Sequence, residues 1–535
     1  MLQESLQGKT SRRVFLQAAG AMGLVATLAA CSGPASTNTV APTSSEGPGI
    51  DKNGTIEAGI SYALSTGFDP MTTTGAVTVA ANWHVLEGLV ELDPVTREVY
   101  AALAADLPAV SGKTVTAKLR DGAVFHDGSP VTADDVVFSF QRVLDPANAS
   151  LYLTFLPFVD SIAKVDASTV KITLKQETAL ALERLSVVKI VPKALVEADK
   201  VAFDSLPTGT GPYKMLSAVK DDKIMFERFD AYTGARPALA AAMTWNLLSD
   251  AAARVTAVQS GRVQAIEDVP YIDVASLKDA TVESVQSFGQ LFMMFNTSVA
   301  PFDDKRVRQA FRYAIDYEKL INTGMLGQAT AATSYLQKEH PSYQKAKTVY
   351  TYDLAKAKKM LKAAGVDGLS ITLLATDTSW VKDVLPLIKE DLDAAGIATT
   401  IDSNQSGAQY KTVDEGNYMV MVAPGDPSVF GNDADLLLRW WYGAATVWPT
   451  KRYRWADSAE FATLTGYLDD AMATSDAAEQ KKLWGKAFDL IADECPVYPL
   501  VHRKLPTAWN EDAITGFKPV AFTGLSFLDV ARTAE

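Results

Sequence analysis

Residues 291–315 constrain the fold more than any other part of the chain. They begin with five consecutive apolar residues, LFMMF, a length that suits a fully buried strand. Asn296 and Pro301 end this run, and the adjacent carboxylates of Asp303 and Asp304 favour the start of a helix. Apolar residues then recur at helical spacing, and three arginines fall mostly on the other face of this predicted helix. The apolar set is Val307, Ala310, Phe311, Ala314 and Ile315, and the arginines are Arg306, Arg308 and Arg312. A buried strand that leads directly into such a helix predicts a crossover between two α/β units.

The length of 535 residues exceeds what one hydrophobic core usually supports, so two or three domains are expected. The hydrophobic content of 48% and the charged content of 21% are typical of a soluble globular protein. The net charge of −13 opposes binding to nucleic acid and to an anionic membrane surface, so any membrane attachment must be covalent or inserted. The two cysteines, Cys31 and Cys495, are too few for a disulfide framework.

The N-terminus has the layout of an export signal, in which charged residues precede a short apolar run. Arg12 and Arg13 stand before residues 18–30, a run that is too short to span a bilayer. The heptapeptide SRRVFLQ resembles the twin-arginine signal S-R-R-x-F-L-K, and the LAAC that ends at Cys31 resembles a lipobox, whose cysteine is lipidated after cleavage. A chance LAAC in an alanine-rich run is the alternative. Residues 32–50 are rich in Ser, Thr, Pro and Gly, a composition that predicts a flexible tether.

Residues 120–136 carry the most detailed local pattern, RDGAVFHDGSPVTADDV. Asp127, which a glycine follows, favours a turn, and Thr132 with Asp135 predicts a capping box at the start of a helix. Catalysis by these carboxylates beside His126 is the alternative, but turn and cap roles already account for them.

Three patterns in the chain resemble, in the same order, those of one known family. They are R-x-G-x-x-F-x-D-G-x-P-x-T-A-x-D-V over residues 120–136, G-T-G-P-Y over residues 209–213, and N-x-x-x-x-P-F-D-D-x-x-V-R-x-A-x-x-Y-A-I-D over residues 296–316. The family is family 5 of the extracellular solute-binding proteins, the dipeptide, oligopeptide and nickel receptors of ABC importers. The resemblance covers roughly residues 54–517. It implies an α/β fold of the periplasmic-binding-protein type (large cluster C), with two lobes and a ligand cleft between them.

The resemblance also implies a division of the chain into lobes. We expect a signal over residues 1–31, a tether over 32–50, a first lobe over 51–296 with an inserted subdomain at about 99–204, a second lobe over 297–497, and a return to the first lobe over 498–535.

One candidate ligand contact is Asp426, which follows a predicted strand at residues 418–422. In peptide-binding members of the family, an aspartate at this strand exit pairs with the α-ammonium group of the ligand. The local spacing departs from the D-Y-x-x-P form of those members, so the resemblance leaves the amine-binding role open. Two further candidates are Phe68, in the loop that matches the opening of the family, and Gly211, in the G-T-G-P-Y turn near the cleft.

Aromatic residues cluster after this strand, where four of the nine tryptophans fall within residues 440–455. Trp440, Trp441 and Tyr442 are the candidates here, because large rigid faces can stack on peptide side chains or sugar rings. Arginines lie between these aromatic residues in the sequence, which favours the wall of a partly solvated cleft. Packing in the hydrophobic core is the alternative.

The resemblance therefore implies a monomeric, lipid-anchored, exported substrate-binding subunit on the periplasmic or extracellular face of the membrane. It would capture a peptide or a similar small solute by lobe closure and deliver it to a permease and its ATPase, without enzymatic activity or a cofactor. An oligosaccharide or a nickel chelate is the alternative ligand. The four histidines lack metal-site spacing, so no direct metal site is predicted.

A secreted hydrolase is the alternative from another class of function. Ser186 and Lys189 match the pattern S-x-x-K, as do Ser217 and Lys220. The companion motifs K-T-G and S-D-N are missing from the sequence, so the two matches carry little weight.

Overall fold

A computed structural model of the protein describes residues 49–534 except 367 and 445. The predicted signal with Arg12 and Arg13, the lipidation site Cys31 and all but the end of the tether lie outside these residues. The strands are β1 (Ile50–Asp51), β2 (Thr55–Ile60), β3 (Val90–Leu92), β4 (Val99–Ala101), β5 (Ala109–Ser111), β6 (Thr114–Lys118), β7 (Val159–Lys164), β8 (Thr169–Leu174), β9 (Tyr213–Val219), β10 (Lys223–Arg228), β11 (Ala242–Leu247), β12 (Ala265–Ile266), β13 (Thr281–Phe295), β14 (Ala329–Ala331), β15 (Ser370–Thr376), β16 (Ala398–Asn404), β17 (Val420–Gly425), β18 (Val497–Trp509), β19 (Ile514–Thr515) and β20 (Ala531–Thr533).

Helices cover the faces of these sheets and connect their strands. The α-helices are α1 (Ala76–Val85), α2 (Ala133–Leu144), α3 (Ala181–Leu185), α4 (Lys193–Ala198), α5 (Lys200–Ser205), α6 (Ala251–Gln259), α7 (Lys305–Ala314), α8 (Tyr317–Lys319), α9 (Leu354–Ala363), α10 (Ser379–Ala394), α11 (Ser406–Glu415), α12 (Ala434–Tyr442), α13 (Ala459–Ala473) and α14 (Ala477–Glu494). Shorter 3₁₀ and π segments lie at Pro146–Asn148, Leu151–Phe155, Leu320–Gly324, Pro427–Val429 and Trp448–Arg452.

One large mixed sheet joins the two lobes of this α/β fold. Its strand order is β16-β15-β17-β13-β18-β12-β2-β11-β10-β9, and β14 pairs with β18 beside this path. The long strands β13 and β18 form an antiparallel pair in the middle, with second-lobe strands on one side and first-lobe strands on the other. A separate four-stranded sheet, β5-β6-β8-β7, lies within the predicted subdomain, and β3 pairs with β4 as a hairpin. The exact lobe boundaries stay predictions.

The ladder between β13 and β18 is interrupted where it passes from one lobe to the other. The register shifts between Gln286 and Gln290, opposite Lys504 and His502. In this gap the Ser287 hydroxyl donates to the Arg503 carbonyl oxygen at 2.9 Å, and the Gln286 amide donates to the same oxygen at 3.2 Å. Side chains thus replace part of the backbone pairing at the point where the two lobes meet.

The two helix starts predicted from the sequence are confirmed. The Asp304 carboxylate accepts a hydrogen bond from the Arg306 amide at the start of α7. The Thr132 hydroxyl and the Asp135 carboxylate form the reciprocal bonds of a capping box at the start of α2. Both helix starts could be predicted from the sequence because each depends on residues only two or three positions apart.

The prediction that the arginines of α7 lie on its outer face is wrong for two of the three. Arg306 is exposed, but Arg308 and Arg312 are buried. The guanidinium of Arg312 donates to the carbonyl oxygens of Met293 in β13 (2.8 Å) and Tyr498 in β18 (2.9 Å). Burial is tolerated because carbonyl oxygens of the two crossing strands accept from Nη1 and Nη2, although Nε has no partner among the described residues.

The C-terminal residues are tied to α1 through His84, which is buried. Its Nδ1–H donates to the Ala80 carbonyl oxygen at 3.0 Å, and its Nε2 accepts from the Phe527 amide at 2.9 Å. These partners fix a neutral imidazole, and burial lowers the pKa of His84 from 6.5 to about 4.

Acidification should therefore weaken the contribution of His84 to stability. The unfolded chain binds a proton at His84 with a pKa of 6.5 and the folded chain with a pKa of about 4, so the contribution is complete above pH 6.5 and is lost as the pH falls towards 4. Urea unfolding of the wild type and of His84→Gln at pH 7.5, 6.5, 5.5 and 4.5 measures it. The difference in free energy of unfolding should shrink by roughly 3 kcal/mol across this range. A difference that does not change with pH would contradict the neutral imidazole.

Candidate functional site

A cavity of about 60 Å³ lies where residues of the two lobes meet. That volume is enough for a few water molecules. Its walls come from α1 and the loop before it, the β3–β4 hairpin, the segment around α3, the segment after β17, and the C-terminal residues. The lining residues are Pro70, Thr73, Val79, Asn82, Trp83, Glu91, Leu92, Pro94, Arg97, Tyr100, Tyr152, Ser186, Val187, Lys189, Val429, Phe430, Phe522 and Leu528.

The β3–β4 hairpin presents Arg97 to this cavity. The Asp93 carboxylate accepts from the amides of Val95 (2.8 Å) and Thr96 (2.7 Å), which closes the turn. Arg97 follows with φ of +64°, a left-handed conformation in which a residue with a side chain is strained. The turn therefore holds this arginine in one backbone orientation.

The Arg97 guanidinium reaches across the cavity to the second lobe. Its Nη2 donates to the Ser428 carbonyl oxygen at 2.7 Å, and the group lies 4.4 Å from the ring centre of Phe522. Within residues 49–534, apart from the two gaps, it has no carboxylate oxygen within 4.0 Å. Partial burial lowers the pKa of Arg97 to about 10, so the group stays charged at neutral pH.

Glu91 and Lys189 form an ion pair in the cavity wall. The Lys189 ammonium donates to Glu91 Oε1 at 2.6 Å and to Oε2 at 2.5 Å. The Gly88 amide also donates to Oε1 at 2.6 Å. Burial raises the pKa of Glu91, and the charge of Lys189 acts in the opposite direction. The two charges compensate each other, which leaves Arg97 as the uncompensated charge among the lining residues.

Asn82 contributes a polar atom without a protein partner. Its side chain is 3% exposed, and its Nδ2 donates to the Phe68 carbonyl oxygen at 2.8 Å. Because a carbonyl oxygen can only accept, this bond fixes which end of the amide is Nδ2. The acceptor Oδ1 has no hydrogen-bond partner in the described part of the chain. A buried acceptor of this kind is costly unless a ligand or water donates to it.

Aromatic rings form the apolar part of the walls. Phe430 lies 5.1 Å from Tyr152, and Trp83 meets Phe522 edge to face at 4.9 Å, as measured between ring centres. The Tyr152 hydroxyl donates to the Thr73 carbonyl oxygen at 2.6 Å. Rings held in this way give the cavity a fixed shape.

A buried cluster of charges joins the subdomain to the second lobe beside the cavity. Arg184 Nε donates to Asp433 Oδ2 at 2.6 Å, and Arg184 Nη2 donates to Asp433 Oδ1 and Asp435 Oδ2, each at 2.7 Å. Arg184 Nη1 donates to the Phe155 carbonyl oxygen at 2.8 Å. Such a group is favourable only while both sides of the contact are present, because a buried charge that loses its partner is strongly destabilising.

Asp426 lies near the cavity but has protein partners on both carboxylate oxygens. Oδ1 accepts from the Ser428 amide at 3.2 Å and from the Ser428 hydroxyl. Oδ2 accepts from the amide and the hydroxyl of Thr523 at 2.9 Å and 3.0 Å. In this conformation Asp426 connects the end of β17 to the C-terminal segment.

The three aromatic candidates are placed differently. Trp440 is half-buried behind the cavity wall, with its ring centre 5.1 Å from that of Phe430. Trp441 is 1% exposed and packs 4.2 Å from Trp448, and the buried Tyr442 donates its hydroxyl to the Val497 carbonyl oxygen. Trp441 and Tyr442 therefore belong to the hydrophobic core, whereas Trp440 supports the wall.

Phe68 and Gly211 do not line the cavity. The buried Phe68 ring packs in the first-lobe core, and only its carbonyl oxygen reaches Asn82. The Gly211 amide donates to the Val85 carbonyl oxygen at 2.9 Å, and a Cβ at this position would collide with the backbone of His84. This glycine thus permits close packing of the turn against α1.

The sequence analysis missed Arg97 and Asn82. One signal was available for each residue. Arg97 stands near the end of a short hairpin turn, and Asn82 is the one amide in a mostly apolar helix. Their convergence depends on contacts between residues that are far apart in sequence.

Ser186 and Lys189, which match the hydrolase pattern S-x-x-K, both line the cavity, but their polar groups bond to different partners. The Ser186 hydroxyl donates to the Glu183 carbonyl oxygen at 2.6 Å, whereas the Lys189 ammonium is paired with Glu91. Among the described residues no group of three or more His, Cys, Asp or Glu side chains is arranged to hold a metal ion. Over the same residues, every helix is too short or too polar to cross a membrane.

Known proteins resemble this chain in sequence and in fold. The model of the family described as bacterial extracellular solute-binding proteins, family 5 Middle, matches residues 98–447. The glutathione-binding protein GsiB of Escherichia coli O6:K15:H31 is 29% identical over 492 residues, which cover 89% of this chain and 94% of that protein.

Two solved structures have similar folds. AgaA of A. tumefaciens R10 in complex with agropinic acid has a TM-score of 0.81 at 27% identity, covering 90% of this chain and 99% of that one. DppA of Helicobacter pylori in complex with the peptide STSA has a TM-score of 0.80 at 24% identity, covering 90% and 98%.

The placement of the tryptophans leads to a prediction about stability and binding. Trp441→Ala should lower the free energy of unfolding by about 3–5 kcal/mol, because it removes a fully buried ring. Trp440→Ala should cost less stability, because its ring is half-buried, but should weaken solute binding by loosening Phe430. Urea unfolding and calorimetry on folded variants, with a solute that binds the wild type, measure the two effects. Equal stability losses, or a binding loss only in Trp441→Ala, would contradict this placement.

Proposed function

Because the chain belongs to family 5 of the bacterial extracellular solute-binding proteins, we propose that it captures a small solute between its lobes and delivers it to the permease of an ABC importer. The observation that carries the proposal is the cavity at the meeting point of the lobes, with walls from both. In such a position, a solute can stabilise the closed form by contacting both lobes at once.

The solute in this proposal is a peptide or a molecule of similar size and polarity. The names of the similar proteins support this class, because they refer to glutathione, a short peptide and agropinic acid. Aromatic walls with a few polar groups also suit a partly polar solute, for which the cavity of about 60 Å³ would have to widen as the lobes move apart.

Among the contacts expected from the sequence, Trp440 and Asp426 remain candidates in this proposal. Trp440 would act through Phe430, which it supports. Asp426 would have to exchange its bonds to Thr523 or Ser428 for a ligand amine.

Closure would use the crossing strands as a hinge. The interrupted register of β13 and β18 lies between the lobes, where fewer backbone hydrogen bonds resist bending. Arg184 and its two carboxylate partners would be solvated separately in an open form and would pair in the closed form. A solute that bridges the lobes thus favours the closed form. When the solute leaves, β13 and β18 keep the two lobes connected.

Small-angle scattering should detect this closure. With a peptide or glutathione that calorimetry shows to bind, the radius of gyration should fall on saturation, because the lobes approach each other. A solute of equal mass that does not bind serves as the control. The same radius of gyration with and without the saturating solute would contradict closure.

We also propose that Cys31 anchors the exported protein by a lipid. The motif at residues 28–31 supports this, and two or more acyl chains give stable membrane attachment. Cys31→Ala should release the protein from membranes or block its maturation, and Cys495→Ala serves as a matched control because that cysteine is buried. Fractionation and electrophoretic mobility measure the outcome. Unchanged membrane association and mobility of Cys31→Ala would contradict the anchor.

A further inference from the structure

We infer that Arg97 binds an anionic group of the captured solute, a carboxylate above all, and so gives the protein a preference for acidic solutes. The inference rests on the proposed function, because it names the chemistry of the solute that the cavity between the lobes takes. The sequence motifs assign no role to this arginine.

The first argument is that Arg97 is a charge without a counter-ion. One of its nitrogens donates to the Ser428 carbonyl oxygen, and a ring covers one face of the group. The remaining guanidinium donors have no protein hydrogen-bond acceptor in the part of the chain that the structure describes. A guanidinium presents paired donors that match a carboxylate, so an anionic group of the solute would complete its coordination.

The neighbouring carboxylates do not fill this role, because each has partners of its own. Glu91 is paired with Lys189, and Asp93 with Arg236 at 2.7 Å. Asp426 accepts from Ser428 and Thr523. Glu183 accepts from the Asn432 amide at 3.3 Å.

Glu183 is also a weak competitor for this arginine. Burial raises the pKa of Glu183 to about 7, and the nearby charge of Asp433 adds to the effect. The carboxyl is therefore partly neutral at physiological pH.

The charge of the lining residues points in the same direction. The lining contains one anion, Glu91, and two cations, Lys189 and Arg97, so its sum is one positive charge. This sign opposes that of the whole chain, whose net charge is −13. The carboxylates of Glu183, Asp426 and Asp93 lie outside this lining but also act on Arg97, so the excess positive charge is local to the guanidinium itself.

The backbone position of Arg97 is a further argument. At φ of +64° a glycine would be unstrained, yet an arginine stands there. Its side chain lies under Phe522 and reaches the second lobe, so the hairpin presents a guanidinium at a fixed place. Strain of this kind persists where the surrounding structure uses the side chain.

Asn82 provides an independent observation that a ligand group is expected. Its Oδ1 is a buried acceptor without a partner among the described residues, and Asn82 lines the same cavity as Arg97. The solute would therefore carry a hydrogen-bond donor, such as a hydroxyl or an ammonium group, in addition to its anionic group. Acidic peptides and hydroxylated organic acids fit this description.

The test compares matched solutes that differ in one negative charge. The probes are glutamate and glutamine, Ala-Glu and Ala-Gln, gluconate and gluconamide, and glutathione and its monoethyl ester. The proteins are the wild type, Arg97→Gly, Arg97→Lys and the control Arg262→Gln, which removes an exposed arginine outside the cavity. Arg97→Gly relieves the left-handed backbone strain, so it should fold. Calorimetry and thermal melting measure binding, and scattering measures closure.

We expect the acidic member of at least one pair to bind more tightly than its neutral partner, on the order of tenfold to a hundredfold. Arg97→Gly should abolish this difference, Arg97→Lys should retain part of it, and Arg262→Gln should not change it.

Two outcomes would overturn the inference, and they can be told apart from failure of the proposed function. If neutral members bind as well as acidic ones and close the lobes, or if Arg97→Gly keeps the preference for acids, the solute-binding role stands and the role of Arg97 is wrong. If no probe binds or compacts the wild type, the expected solute class is itself contradicted, and the inference falls with it.

Discussion

The antiparallel pairing of β13 with β18 is the constraint on which the rest of the structure depends. Both strands are long, largely buried and shared by the two lobes, so each lobe builds its part of the sheet on the same pair. Arg312 stabilises the pair from α7 by donating to a carbonyl oxygen on each strand. The same pair is weakest between Gln286 and Gln290, where side chains replace ladder bonds. A continuous sheet therefore connects the two lobes across this interruption.

Buried charge is distributed unevenly around the junction of the lobes. Arg184 is satisfied by two carboxylates and a carbonyl oxygen, and Glu91 by Lys189, so these groups hold the walls in place. Arg97 contacts a carbonyl oxygen and an aromatic ring but no carboxylate of residues 49–534, leaving aside the gaps at 367 and 445. A desolvated charge is costly unless an opposite charge or a hydrogen bond compensates it. The paired groups therefore stabilise the fold, whereas the charge without an ionic partner is a candidate ligand contact. The same reasoning separates Asp426, whose oxygens are engaged, from the unsatisfied Oδ1 of Asn82.

Much of the fold was predictable because its signals are local. The capping box joins Thr132 to Asp135, only three residues later. The helix after Asp304 was predicted from the spacing of its apolar residues. The pattern of the crossover strand was equally clear, although β13 begins ten residues before the apolar run at Leu291.

The candidate site was predicted less well. Trp441 and Trp440 are adjacent and chemically identical, yet one packs in the core and the other behind the cavity wall. Helical phase within α12 and the position of its neighbours separate them.

The sequence by itself determined the class of fold, the crossover between lobes and the family, because short patterns with fixed spacing encode turns, caps and buried strands. The tertiary structure alone decided which polar groups face the cavity. Arg97 lies on a hairpin and Asn82 on a helix, and tertiary packing brings the two together. The two residues that contact Arg97, Ser428 and Phe522, lie more than three hundred positions later in the chain. Whether a guanidinium is paired depends on every carboxylate around it in space. Sequence spacing does not contain that information, since the partners of each charge are fixed only when the sheet, the hairpin and the C-terminal segment have packed.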